Sequence, residues 1–214
     1  GVLAGLLGVG GGLVIVPMMV LTLTWQGIPQ EHIMHLALGT SLASIIFTSI
    51  SSFMAHHRRG AVQWRVVRQI VLGILLGTFL GASLASRLST GVLKAIFVVC
   101  LYYMGLQFLL DRKPRASRTL PGPWGMFGMG SVIGVVSAFV GIGGGSLSVP
   151  FMIYCNVPVH TAIGTSAAIG FPIAIAGAAG FLVNGLGAAT LPPWSLGYIY
   201  LPALVGIAGC SILT

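Results

Sequence analysis

Carboxylates are almost missing from this chain: its 214 residues include two acids, Glu31 and Asp111. Glu31 falls in a predicted loop and Asp111 at a predicted helix end, so neither stands inside an apolar segment. Cation carriers and proton pumps place an ionisable group in the pathway, so the deficit argues against a cationic cargo. It also removes the paired acids of hydrolytic chemistry, and with no internal Asp a Ser-His-Asp triad cannot be assembled; no enzymatic activity is expected. From Thr119 to Thr214 there is no Lys, Arg, Asp or Glu. A water-facing surface draws roughly a quarter of its residues from those types, which leaves lipid as the solvent for that half. Cysteine is scarce too. Cys100, Cys155 and Cys210 form no C-x-x-C pair, which gives no support to a disulfide framework or a metal site. Small apolar filler is their default reading, and nothing in the sequence calls for a cofactor.

What is present is apolar. Hydrophobic residues make up 56% and charged residues 6%, with a mean hydropathy of +1.03, the composition of a multi-pass membrane protein. Segments long enough to span run from 36 to 55, 66 to 86, 92 to 110, 161 to 183 and 196 to 214. The net charge of +8 does not indicate nucleic-acid binding. Its sources cluster at His56-His57-Arg58-Arg59 with Arg65 and Arg68, and at Arg112-Lys113 with Arg115 and Arg118. Short basic loops beside apolar spans mark the cytoplasmic face and suit contact with anionic headgroups. Residues 56–68 and 111–118 are thus expected in the cytoplasm and 25–35 outside, with Arg87 and Lys94 against the bias. Trp25, Trp64, Trp124 and Trp194 fall near span ends, where tryptophan anchors at the interface. Gly73, Gly77 and Gly81 recur every fourth residue as a ridge for close helix packing.

One two-part signature occurs twice, in the same order. Gly8-Val9-Gly10-Gly11-Gly12-Leu13-Val14-Ile15-Val16-Pro17 returns as Gly141-Ile142-Gly143-Gly144-Gly145-Ser146-Leu147-Ser148-Val149-Pro150. His35-Leu36-Ala37-Leu38-Gly39-Thr40-Ser41 returns as His160-Thr161-Ala162-Ile163-Gly164-Thr165-Ser166. G-x-G-G-G-x4-P followed by H-x-A-x-G-T-S predicts an all-α polytopic membrane protein built of two homologous repeats, an organisation typical of transporters. The first repeat takes residues 1–110, a basic cytoplasmic linker 111–123, and the second repeat 124–214, where it stops before its last expected helix. Glycine at the density of Gly141–Gly145 weakens a helix, and Pro150 removes a backbone donor a turn later. Both Gly-rich stretches, 1–24 and 124–155, are therefore expected as broken helices, either re-entrant hairpins or discontinuous spans. Such breaks must lie in the protein interior. If they are re-entrant, each repeat has three crossings, the second copy is inverted, and the uncharged 184–195 loop faces outside. The charge pattern favours that arrangement over a parallel one.

Anion handling suits this interior. Consecutive glycines can turn N–H groups towards one point, and half-helices starting at a break add positive dipole ends. The expected substrate-binding set is Gly10, Gly11, Gly12, Thr40 and Ser41 with Gly143, Gly144, Gly145, Thr165 and Ser166, the two Gly-Thr-Ser turns supplying hydroxyls at one midplane site; simple helix packing is the alternative for those turns. His35 and His160 open the matching helices. They are either helix-end residues bonded to backbone or water, or gating and proton-coupling groups titrating near neutral pH. Asn184 and Ser146 are weaker candidates, as pathway linings or local caps.

Paired G-x-G-G-G-x4-P segments, each followed by Gly-Thr-Ser, in a small membrane protein with basic loops resemble the sulfite exporter TauE/SafE family over essentially the whole chain. The resemblance implies a multi-pass permease of a bacterial or archaeal-type inner membrane that exports sulfite or an organosulfonate; the repeat adds the expectation of alternating access at the repeat interface, with a small anion and the lipid bilayer as partners, and protons too if a histidine couples transport. It carries over to Gly8, Gly10, Gly11, Gly12, Pro17, Gly39, Thr40 and Ser41, and to Gly141, Gly143, Gly144, Gly145, Pro150, Gly164, Thr165 and Ser166. The other readings are uptake, a permease for a different anion, and a membrane thiol relay through the three cysteines, which would need two of them within about 7 Å between Cα atoms.

Overall fold

The computed structural model describes residues 12–109, 120–188 and 191–212. Gly8, Gly10, Gly11, Asp111 and the basic stretch 111–118 lie outside the described residues. Eight helices follow one another there: α1 (Gly12–Trp25), α2 (Ile33–Arg58), α3 (Trp64–Ala85), α4 (Thr90–Leu109), α5 (Pro123–Val140), α6 (Gly145–Tyr154), α7 (Val159–Gly185) and α8 (Leu201–Ile212). Five of these, α2, α3, α4, α5 and α7, are long and apolar enough to cross a membrane. The expected span 196–214 is not among them, and α5, from the stretch expected to be broken, is. Residues 195–200 form an antiparallel hairpin of β1 (Ser195–Leu196) and β2 (Ile199–Tyr200). Gly197 turns it in the left-handed region with φ 55°, which delays helix α8 to Leu201.

The packing is that of a lipid-solvated protein. On α3, Leu72, Leu76, Leu80 and Leu84 are exposed, while Gly73, Gly77 and Gly81, one position on, press against Phe127, Ser131 and Val135 of α5. Large apolar side chains face out and glycines face in, the reverse of a water-soluble helix. A Cβ at Gly73 or Gly77 would overlap the carbonyl oxygens of Phe127 and Ser131. The contact advances in the same direction on both helices, so α3 and α5 run parallel. Their first turns, which follow the two basic stretches, therefore share one face of the molecule.

The centre is α2 packed against α7. Gly39 meets Phe181, Leu42 meets Gly177, and His56 lies close enough to His160 for their charges to interact. As one number rises the other falls, so these two helices are antiparallel. By contrast, α3 and α7 run parallel, with Thr78 at Gly177, Ala82 at Gly180 and Ser83 bonded to Asn184. Helix α6 runs back along α7, from Gly143 beside Gly170 to Ser148 bonded to Ser166. The α5–α6 unit thus enters and leaves on the face that carries His56–Arg59. It is a helical hairpin that turns at Gly141–Gly144. Residues 184–188 and 191–195 lie on the opposite face.

The turns after α1 and α6 share one design. Gly27 and Asn156 both adopt positive φ, 72° and 63°. The next amide reaches back five residues in each case, Ile28 N–H to Leu23 O at 3.2 Å and Val157 N–H to Met152 O at 3.0 Å. This is the left-handed helix stop, followed at Pro29 and Pro158 by a residue that cannot continue the helix.

Candidate functional site

The interior break is built from the end of α5 upward. Gly141 takes φ 66° and ψ 32°, and the amides of Gly141 and Ile142 both donate to Ser137 O, at 2.8 and 3.2 Å. Gly144 takes φ 76° and opens α6, whose first bonds run from Leu147 and Ser148 to Gly144 O. The N–H groups of Gly143, Gly144, Gly145 and Ser146 precede those bonds and have no partner among the described residues. They form the positive end of α6. Gly12, the first residue of α1, packs against Gly141 and Ile142 so tightly that a Cβ would strike Gly141 O. The second Gly-rich break and the start of α1 therefore meet in the interior.

Two unbonded hydroxyls sit at this break. Ser137 Oγ and Ser146 Oγ are buried without a hydrogen-bond partner among the described residues, and both line a narrow cleft with Gly144, Met104, Val136 and Leu147. Ser131 and Ser148 instead turn back on their own helix, to Phe127 O at 3.0 Å and to Gly144 O at 2.8 Å, and Thr78 Oγ1 on α3 is a further buried hydroxyl without a partner among the described residues. Ser137 was not singled out in the sequence. In an apolar helix it is indistinguishable from Ser131, and only the turn at Gly141 sets it beside the break.

The Gly-Thr-Ser turns do not converge on one point. Gly39 lies level with Phe181, whereas Thr165 lies near the start of α7, so at 1.5 Å per residue the two threonines stand about 20 Å apart along the helix axes. Their serines hold the two ends of the break between them. Ser41 Oγ donates to Gly141 O at 2.9 Å, and Ser166 Oγ is bonded to Ser148 Oγ at 3.0 Å. The threonines instead reach the chain entering from each face. Thr40 Oγ1 accepts the Tyr200 amide at 2.9 Å, and Thr165 Oγ1 accepts the Gln63 amide at 2.9 Å.

The paired histidines part company. His35 is buried, its Nε2 lying 3.0 Å from Leu88 O and its ring 4.9 Å from that of Tyr198; its Nδ1 has no partner. His160 is exposed. Burial pushes the Tyr198 hydroxyl above its ordinary pKa. Asn184 bridges helices by donating to Ser83 Oγ at 3.0 Å and to Gly180 O at 2.7 Å. Cys155 is a buried free thiol whose pKa burial raises, the opposite of the thiolate character that a redox relay needs.

Comparison with known proteins points to a membrane transporter. The family model described as Sulfite exporter TauE/SafE matches residues 1–214. A probable membrane transporter protein of Haemophilus influenzae is 39% identical, over 100% of this chain and 81% of its own length. The probable membrane transporter protein YunE of Bacillus subtilis is 29% identical, over 86% of this chain and 75% of its own. No solved structure matches the chain.

Proposed function

The chain belongs to the sulfite exporter TauE/SafE family, and from that premise we propose that this multi-pass membrane transporter is a secondary exporter of a small sulfur-containing anion, sulfite or an organosulfonate, in a bacterial inner membrane. The observation that carries the reading is the break itself. The open N-terminus of α6, four N–H groups and the hydroxyls of Ser137 and Ser146, none with a partner among the described residues, are gathered at this partly buried break. Donors without a permanent positive charge can hold a small oxyanion and still release it. We assign Gly12, Gly143, Gly144 and Gly145 to the anion, with Ser41 and Ser166 fixing the ends of the break.

The two halves are read as inverted repeats that alternate access around this site. Antiparallel α2 and α7, the matching turns at Gly27 and Asn156 and the α5–α6 hairpin support that reading. The test is radiotracer flux of sulfite, sulfate and an organosulfonate in proteoliposomes, with and without a pH gradient. Saturable flux of a sulfur anion, lost in Ser137→Ala together with Ser146→Ala, is the expected result. Absence of flux for all three in folded protein would sink the cargo assignment.

A further inference from the structure

We propose that Thr40 and Thr165 are latches, each closing one end of the transport path by gripping the segment that enters from the nearer face. The proposal rests on the alternating-access reading above and gives these two threonines a role other than holding the anion. The segments have the same construction. Gly60-Ala61-Val62-Gln63 leads into α3, and Gly197-Tyr198-Ile199-Tyr200 leads into α8. Gly60 and Gly197 both take positive φ, 66° and 55°. One residue later, the carbonyl of Ala61 lies against Gly164 and that of Tyr198 against Gly39, each where a Cβ would overlap it. Two residues further on, the amides of Gln63 and Tyr200 are bonded to Thr165 and Thr40.

Every contact is exchanged. The Gly-Thr of the first motif holds the segment before α8, and the Gly-Thr of the second holds the segment before α3. Residue i meets j on one side, and their counterparts meet on the other, the contact pattern of a two-fold relation. Both latches are closed in this structure, one at each face, about 20 Å apart along α2 and α7. Gly39 and Gly164 let the segment approach, and the threonine hydroxyl accepts its amide. One neutral hydrogen bond per side biases opening without locking it, by roughly three- to tenfold in population.

The experiment reads which face opens. Ser44, buried on α2 between the two latches, is replaced by cysteine in a chain whose Cys100, Cys155 and Cys210 are alanine. Labelling with a membrane-impermeant maleimide is then followed from each face in oriented vesicles. Thr40→Val should raise the rate about three- to tenfold from the face of the β1–β2 hairpin only, and Thr165→Val from the face of Arg59 only. Thr40→Ser and Thr165→Ser, which keep the acceptor, should label like the parent. Equal rates in parent and Val variants overturn the latches, and so does a rise from both faces at once, the mark of general loosening. Anion flux is measured on the same vesicles: opposite-sided labelling without flux would retain the latches and reject the transport reading, whereas intact flux without sided labelling would do the reverse.

Discussion

At the scale of single residues, glycine has two different jobs, and substitution separates them. Gly77 lies where a Cβ would overlap Ser131 O, while Gly105 on α4 has nothing within 4 Å. Gly77→Ala should therefore lose about 1–3 kcal/mol to overpacking. Gly105→Ala should gain up to about 1 kcal/mol from helix propensity. Thermal unfolding in detergent should move in opposite directions for the two. His35 is a second case. Its ring nitrogen bonds the Leu88 carbonyl, so His35→Leu should leave that carbonyl unpaired at a cost of about 1–3 kcal/mol, while His35→Gln retains a donor and most of the stability. The same His35→Gln protein, with His160→Gln beside it, tests proton coupling. Flattening of the transport profile between about pH 5 and 8 is the outcome for a coupling histidine, and an unchanged profile in both assigns these rings to structure alone.

At the scale of elements, the α5–α6 hairpin decides the topology. Its tip depends on left-handed backbone at Gly141 and Gly144, and a Cβ at Gly144 would also strike Ile173 Cδ1. Gly144→Ala should cost about 1–2 kcal/mol from the backbone alone and should weaken anion binding further by displacing the α6 amides. Binding measured on protein with wild-type elution behaviour distinguishes a damaged site from a misfolded chain. The hairpin also predicts sidedness. Cysteines at Asn156 and Arg59 should label from one face and a cysteine at Leu186 from the other, because α7 runs antiparallel to α2. Labelling of all three from one face would remove the hairpin arrangement. Pro17 and Pro150 sit inside the short helices α1 and α6, where surrounding protein can satisfy the backbone groups that proline leaves free.

At the scale of the whole molecule, the exposed faces of α3 and α4 complete the account. Leu72, Leu76, Leu80, Tyr102, Tyr103 and Leu106 are all exposed, a surface that requires lipid. The interior holds Thr40, Ser41, Ser44, Thr78, Ser137, Ser148, Thr165 and Ser166, all buried. Buried hydroxyls with leucines on the outer faces of α3 and α4 fit a protein whose solvent is a bilayer. Extraction into harsh detergent should accordingly abolish anion binding before it abolishes helicity, which parallel isotherms and far-UV circular dichroism would reveal.

Much of this was legible in the sequence. Four of the five expected spans to within a few residues at each end, the lipid environment, the break at Gly141–Gly144 and the close-packing ridge at Gly73, Gly77 and Gly81 follow from composition and spacing, because hydropathy and glycine's missing side chain act locally; the fifth, 196–214, did not, because the hairpin at 195–200 takes its first residues. The direction of each helix was only biased by charge, since loop charge is a weak preference; the contacts of α2 with α7 and of α3 with α5 decided it. The threonines could not be placed from spacing alone. Thr40 and Thr165 occupy identical motif positions, yet their partners are the amides of Tyr200 and Gln63, far along the chain. A motif records which residue types recur, whereas a hydrogen bond between distant segments exists only after antiparallel packing has brought each motif to the other half. Ser137 shows the same limit: its free hydroxyl is a property of the turn that follows it, and only the folded chain places that turn at the open end of α6.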